Sequence, residues 1–271
     1  MFDNIFAAIE KWMRELLTGM VESNMSTMFT DVNEKTSEIA AQVGRTPQNW
    51  NSSVFSMIQN LSESVVVPIA GIIITLVLCY ELISMLTERN NLHDVDTWMF
   101  FKYFVKAWVA IYLVSNTFTI TMAVFDVGQS VVNSASGIIN GETAIDVSSL
   151  SMQMQAAMAT MEIGELVVLA LETFLVSFCM KIMSVVITVI VYGRMIEIYL
   201  YTSLAPIPFA TMSNREWGHI GTNYFRGLFA LAFQAFLMMV CVAIYAALIS
   251  SVRISSNMHS ALIGVAAYTV I

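Results

Sequence analysis

Apolar residues recur at steps of three and four over the first twenty positions of the chain: Phe2, Ile5, Phe6, Ile9, Trp12, Met13, Leu16, Leu17 and Met20, with Glu10, Lys11, Arg14 and Glu15 between them. That spacing predicts a helix with one apolar and one charged face. Such a helix suits either the membrane surface or a partner helix, and it lacks the unbroken apolar core and small-residue cleavage site of a secretory signal. Residues 23–64 are polar and rich in Ser, Thr and Asn, and the stretch RTPQNW predicts a helix start at Pro47.

Past residue 64 the three-four periodicity gives way to long apolar runs. Five of them, at about 65–86, 98–125, 166–192, 195–212 and 227–252, are long enough to cross a hydrocarbon core of about 30 Å. Residues 261–271 form a further apolar run too short to cross. Between the second and third runs, residues 126–165 are moderately apolar without any stretch long enough to span, and read as amphipathic helices at the surface. The expected fold class is therefore all-α, a polytopic membrane protein with about five transmembrane helices plus amphipathic surface helices. Five sections follow: an extracytoplasmic amphipathic region 1–64, transmembrane helices 1–2 over 65–125, an acidic extracytoplasmic amphipathic region 126–165, transmembrane helices 3–5 over 166–252, and a C-terminal tail or partial helix 253–271.

Composition agrees with a membrane protein. Of 271 residues, 57% are hydrophobic and only 12% charged, where a soluble domain carries about 25% charged residues; mean hydropathy is +0.71. The net charge of −8 matters less than its segregation. Residues 126–165 hold Asp126, Glu142, Asp146, Glu162 and Glu165 and no Lys or Arg. With the N-terminus outside, the inner loops of a five-span chain hold Arg89, Lys102, Lys106, Arg194 and Arg253, which the distribution of basic residues favours over the reverse. Residue 45 and residues 126–165 are then expected outside, and Arg89 and Arg253 in the cytoplasm.

Little in the chain suggests covalent chemistry. Cys79, Cys179 and Cys241 each lie inside an apolar run, and His93, His219 and His259 are scattered. No metal-ligand spacing, phosphate loop or nucleophile elbow is present, so no cofactor and no catalytic residue is expected. Two features of the apolar segments call for a role instead. Glu81 lies sixteen residues into the first run and Lys181 fifteen into the third, at matching depth, which makes an intramembrane Glu81–Lys181 pair available within or between subunits. Glu172 points to the face opposite Lys181. The run RMIEIYLYTSLAPIPFATMSNREWG places Pro206 and Pro208 in an apolar stretch, removing two backbone donors. The expected bend makes Glu172, Pro206 and Pro208 candidate pore or gating residues, with Thr202 and Ser203 helping to satisfy the displaced carbonyls. The twenty methionines read as adaptable packing filler; those in the acidic region, Met152, Met154, Met158 and Met161, suit an oligomer interface.

The runs YGRMIEIYLYTSLAPIPFATM and NREWGHIGTNYFRGLFALAFQAFLMMVCVAIYAAL resemble the TrbL-like polytopic subunit of conjugative type IV secretion systems, in the form carried by conjugative elements of Gram-positive bacteria. The Leu204-Ala205-Pro206 run, Trp217-Gly218 and Phe225-Arg226-Gly227 carry the likeness, which is strongest over residues 165–255. It implies an outside N-terminus in the cytoplasmic membrane and a homo-oligomeric ring at the base of a conduit for relaxase-bound single-stranded DNA. It also implies other secretion subunits as partners, including cytosolic ATPases. The acidic central region offers no basic groove for a strand, so contacts with DNA are expected to be free of sequence preference. Two other readings stand beside this one: a small-solute or ion transporter, and a non-conducting scaffold that anchors secretion ATPases.

Overall fold

A computed structural model describes residues 2–87, 97–139, 147–214, 216–251, 259–260, 262 and 264–265. Every regular element among them is helical: α1 (Phe2–Val43), α2 (Pro47–Trp50), α3 (Ser52–Leu61), a π-helical turn Ser62–Val66, α4 (Val67–Thr87), α5 (Thr97–Ser115), α6 (Thr117–Ile139), α7 (Val147–Met158), α8 (Ile163–Leu204), α9 (Pro206–Thr211) and α10 (Gly218–Ser251). Local chemistry accounts for several boundaries. The expected start at Pro47 is present: the Thr46 hydroxyl accepts from Asn49 N at 3.2 Å and Pro47 takes the first position, where no donor is missed. Asn51 caps α3 through Val54 N at 3.0 Å. The π turn, closed by Val67 N donating to Ser62 O, sits immediately ahead of Pro68, where a straight helix would press the proline ring against the preceding carbonyls.

The chain forms two compact units. The first comprises residues 1–43, 133–191 and 237–271; the second comprises 44–132 and 192–236. In the first unit, α1 packs along α7 and the start of α8. Leu17, Val21, Met25, Met28 and Val32 share one core with Met154, Met158, Leu166, Leu169 and Met180. Polar ties fix the register: Arg14 Nη1 donates to Met161 O at 2.7 Å, and one carboxylate oxygen of Glu22 accepts from Ser151 Oγ at 3.1 Å and Gln155 Nε2 at 2.7 Å. As α1 ascends from 14 to 22, its partners descend from 161 to 151, so the two helices are antiparallel.

In the second unit, the short helix α9 lies between α4 and α5. Phe209 and Ala210 share a core with Ala70, Ile74 and Leu78 on one side and Ala110 and Val114 on the other. The first part of α10 returns antiparallel along the end of α8, with Leu228, Leu231 and Ala232 against Met195, Ile198 and Phe125.

Four helical stretches are long and apolar enough to cross a membrane: Ser52–Thr87, Thr97–Ser115, Ile163–Leu204 and Gly218–Tyr245. The protein is thus an all-α polytopic membrane protein, as expected, with four candidate spans among the described residues. The expected third and fourth runs are one helix, because nothing between Tyr192 and Met195 breaks the backbone. The proline segment contributes only the six residues of α9. The candidate span in the expected second run ends early, at Ser115, one residue ahead of α6, with Asn116 between them donating its side-chain amide to Tyr112 O at 2.9 Å. Arg89 and Arg253, both expected in the cytoplasm, lie outside the described residues.

Candidate functional site

The double-proline segment follows a break in α8 at Ala205, whose backbone stays in the helical region (φ −50°, ψ −39°), and continues as the short helix α9. Pro206 stands at the first position of α9 and Pro208 in its first turn, positions whose N–H groups have no intrahelical acceptor in any helix. The break therefore costs little backbone bonding: Ala205 N still reaches Thr202 O at 3.3 Å and Phe209 N reaches Ala205 O at 3.2 Å. The expected help from hydroxyls falls one turn earlier than predicted. Thr202 Oγ1 donates to Ile198 O at 2.7 Å and Ser203 Oγ to Leu200 O at 2.8 Å.

After α9 the chain reverses through buried Asn214, whose Oδ1 accepts from Glu216 N at 2.7 Å and Trp217 N at 3.2 Å. Trp217 stacks on Tyr80 with ring centroids 5.5 Å apart, and the Tyr80 hydroxyl lies 3.0 Å from both carboxylate oxygens of Glu216, to which it donates. The glycines of α10 then permit close approach. A Cβ on Gly221 would overlap the side chain of Met212 and press on the carbonyl of Pro208, and one on Gly227 would overlap the Tyr201 hydroxyl. Tyr201 in turn stacks on Tyr224 at 4.7 Å, and Tyr224 donates to Tyr201 O at 2.7 Å. Gly128 on α6 serves the same purpose, its Cβ position lying 2.7 Å from Ala232 O. The Tyr199 hydroxyl donates to Pro47 O at 2.6 Å and anchors α2 to the end of α8.

Charges inside this unit are managed partly by pairing. Glu81 is bonded to Lys106 on the neighbouring helix. The expected Glu81–Lys181 pair is thereby corrected: α4 and α5 pack directly against each other, and their side chains meet across that contact. Sequence reasoning assigned Lys106 to an inner loop and compared depths only between Glu81 and Lys181. The signal it passed over was the shorter link along the chain, 25 residues. Arg194 is 6% exposed and its Nε has no hydrogen-bond partner among the described residues.

The remaining expected site residues belong to the first unit. Glu172 lies 2.7 Å from His259 Nδ1. Met154 and Met158 are 2% and 1% exposed inside the unit's own core, so they are not free to meet a neighbour; Met161 packs at the edge of that core and Met152 is exposed. These side chains face α1, whose buried residues the amphipathic pattern alone did not match to them. Lys181 stands exposed on α8, with no acidic partner for its ammonium group among the described residues. Ser177, Ser184 and Thr188, all partly exposed, occupy the same side of the helix, at steps of four, three and four residues with Lys181. The described cysteines Cys79, Cys179 and Cys241 are free thiols. Among the described residues no three His, Cys, Asp or Glu side chains converge as a metal site would require.

The fold and this arrangement define a multi-pass helical membrane protein. The TrbL/VirB6 plasmid conjugal transfer-like family matches the chain over residues 32–206, more than half its length, and the chain belongs to that family. The match extends further toward the N-terminus than the resemblance read from the sequence and stops at Pro206, ahead of Trp217-Gly218 and Phe225-Arg226-Gly227. No curated protein and no solved structure matches the chain.

Proposed function

We propose that this protein is a channel and scaffold subunit of a type IV secretion machine for conjugation. Several copies form a homo-oligomeric ring in the cytoplasmic membrane, N-termini outside, through which or around which relaxase-bound single-stranded DNA is moved. Other secretion subunits, cytosolic ATPases among them, supply the energy; this chain performs no covalent chemistry and contacts DNA without sequence preference.

The carrying observation, within a member of a conjugal transfer family, is the polar line Ser177, Lys181, Ser184 and Thr188 on α8. A lysine at mid-bilayer costs about 3 kcal/mol on permissive scales, and such groups face water or a partner. A ring supplies both, through head-to-tail contacts that enclose an aqueous lumen. The distribution of basic residues supports the orientation. With four crossings Arg215 and Arg226 join Arg89, Lys102, Lys106 and Arg194 on the cytoplasmic side, while residues 126–165, with no Lys or Arg, stay outside.

Single cysteines in a background lacking the three native ones provide the test. A cysteine at Ser184 reacts with a membrane-impermeant thiol reagent, and one at the apolar Leu175 on the far side of α8 does not. Lys181→Leu lowers DNA transfer at least tenfold and Lys181→Arg restores it. An unreactive Ser184→Cys together with normal transfer by Lys181→Leu removes the lumen from this reading. The segment formed by α9 is proposed to act in assembly or gating: Pro206→Leu/Pro208→Leu returns two N–H groups, extends α8 and draws Phe209 away from α4 and α5. Insertion is preserved in that variant and transfer falls about tenfold, equivalent to about 1.4 kcal/mol.

A further inference from the structure

The apolar face of the first twenty residues is unused by the chain's own core. Phe2, Phe6 and Trp12 are 77%, 68% and 62% exposed, and Ile5, Ile9, Leu16 and Met20 are exposed beside them. The residues of α1 that do pack inside the unit, Leu17, Val21, Met25, Met28 and Val32, lie roughly a third of a turn around the helix at 3.6 residues per turn. The exposed stripe is therefore a second face of α1, turned away from the first. It is also displaced along the axis. Arg14 meets the turn between α7 and α8 at Met161, so residues 2–13 project beyond that turn by about 18 Å at 1.5 Å per residue. α1 is not among the candidate spans, so lipid crossing does not account for the stripe.

Resting on the ring reading above, we propose that residues 2–20 of α1 pair with the same helix of other copies, forming a parallel bundle. Three observations select this occupant. Phe2, Phe6, Ile9, Leu16 and Met20 recur at steps of four, three, seven and four residues, with Met13, which packs at the edge of the unit's own core, between Ile9 and Leu16, the spacing of a helix-on-helix seam. The seven exposed apolar side chains present on the order of 900 Å², above the few hundred Å² that monomers leave open and close to the ~800 Å² each partner buries in a stable complex. The charges do not suit an anionic lipid surface: residues 2–20 carry three acidic side chains, Asp3, Glu10 and Glu15, against two basic ones, Lys11 and Arg14, and Lys11 stands 3.9 Å from Glu15. Copies inserted alike in one membrane bring their α1 helices together in parallel.

The full-length protein in native membranes, with its three native cysteines replaced, carries a single cysteine either at Ile9 on the seam or at Lys11 on the polar face. Mild oxidation is expected to link most of the Ile9→Cys protein into dimers and to leave Lys11→Cys monomeric. In nanodiscs, native mass measurement is expected to show Phe6→Glu/Ile9→Glu at lower copy number than the wild type. If Ile9→Cys fails to cross-link and that double variant keeps the wild-type copy number, the α1 pairing is overturned while the ring stands. A wild type found as one copy, with no Ile9 cross-link in membranes, overturns both. Equal cross-linking at Ile9 and Lys11 signals random collision and also overturns the pairing.

Discussion

The second unit and the first treat their apolar and polar groups in opposite ways. In the second, the corner from Leu204 to Gly227 packs so closely that three glycines of α6 and α10 each admit a neighbour where a methyl group would stand. Its hydroxyls at Tyr199, Tyr224 and Thr202 reach backbone carbonyls, and Glu81 has Lys106. In the first, α1 turns seven large apolar side chains outward and α8 holds Lys181 without an acidic partner among the described residues. Exposed apolar residues on the spans of either unit are met by lipid, but those on α1 are not on a span. The contrast is one of packing: the second unit fills its apolar interior closely, although buried polar atoms such as Arg194 Nε and Glu81 Oε2 have no partner among the described residues, while the first turns apolar and charged side chains outward. Changes inside the second unit should therefore act on the stability of a single chain, and changes on the exposed faces of the first on assembly.

The largest effect expected inside the second unit is at Gly221. An added methyl group there meets Met212 and the carbonyl of Pro208, and a carbonyl fixed in α9 has little room to move. Gly221→Ala is expected to cost about 3 kcal/mol, read as a lower unfolding temperature in detergent. Gly193 has nothing within 4 Å of its Cβ position, so Gly193→Ala should instead stabilise α8 by about 0.5–1 kcal/mol. Equal responses at the two sites would mean that the corner is loosely packed and that the contrast between the units is wrong.

The charge pair comes next. Glu81 and Lys106 are partly exposed, at 22% and 41% of their side chains, so removal of one partner costs less than in a sealed core. Lys106→Met leaves the Glu81 carboxylate, whose Oε2 is already without a partner, and is expected to destabilise by about 2 kcal/mol. Glu81→Gln/Lys106→Met should recover at least half of that loss, because the uncompensated charge is gone. A double variant no better than the single one would show that Glu81 has another cation.

How much of this was legible beforehand depended on the range of the interaction. Periodicity within a single helix was readable: the two-faced pattern of Phe2–Met20 lies in one helix, the cap at Thr46 is where it was expected, and the described parts of the long apolar runs are helical apart from breaks such as those at Asn116 and Ala205. The boundary between the third and fourth runs was not. Arg194 and Glu197 looked like the end of one crossing and the start of another, yet Arg194 is buried in a packed helix and the backbone runs on to Leu204. Hydropathy marks where charge occurs but not whether folded protein surrounds it. At 42 residues, or about 63 Å, α8 is twice the hydrocarbon thickness, more than a tilt of about 40° can absorb. Partner identity was equally hidden. Met154 and Met158 had the composition of an interface and serve one, but the other side of it is α1 of the same chain.

The smallest expected effect tests whether the second unit's hydroxyls are all of one kind. Thr202 is fully buried, and its Oγ1 donates to Ile198 O, the carbonyl four residues back along its own helix. Carbonyls in that position already receive the backbone N–H of the same residue, so the hydroxyl supplies a second bond to an oxygen that has two lone pairs. Valine keeps the volume and the branched shape and leaves no donor behind. Thr202→Val is thus expected to cost only about 0.6 kcal/mol, the average for side-chain hydrogen bonds in membrane helices. Tyr199→Phe is different, because the Tyr199 hydroxyl spans 152 residues of sequence to Pro47 O and its loss frees a buried carbonyl, at about 1.5 kcal/mol. Thermal unfolding of the two variants side by side should rank them in that order. A Thr202→Val cost equal to or above that of Tyr199→Phe would mean that the Thr202 hydroxyl holds the break at Ala205 in place, and that the end of α8 depends on it as much as on the packing of α9.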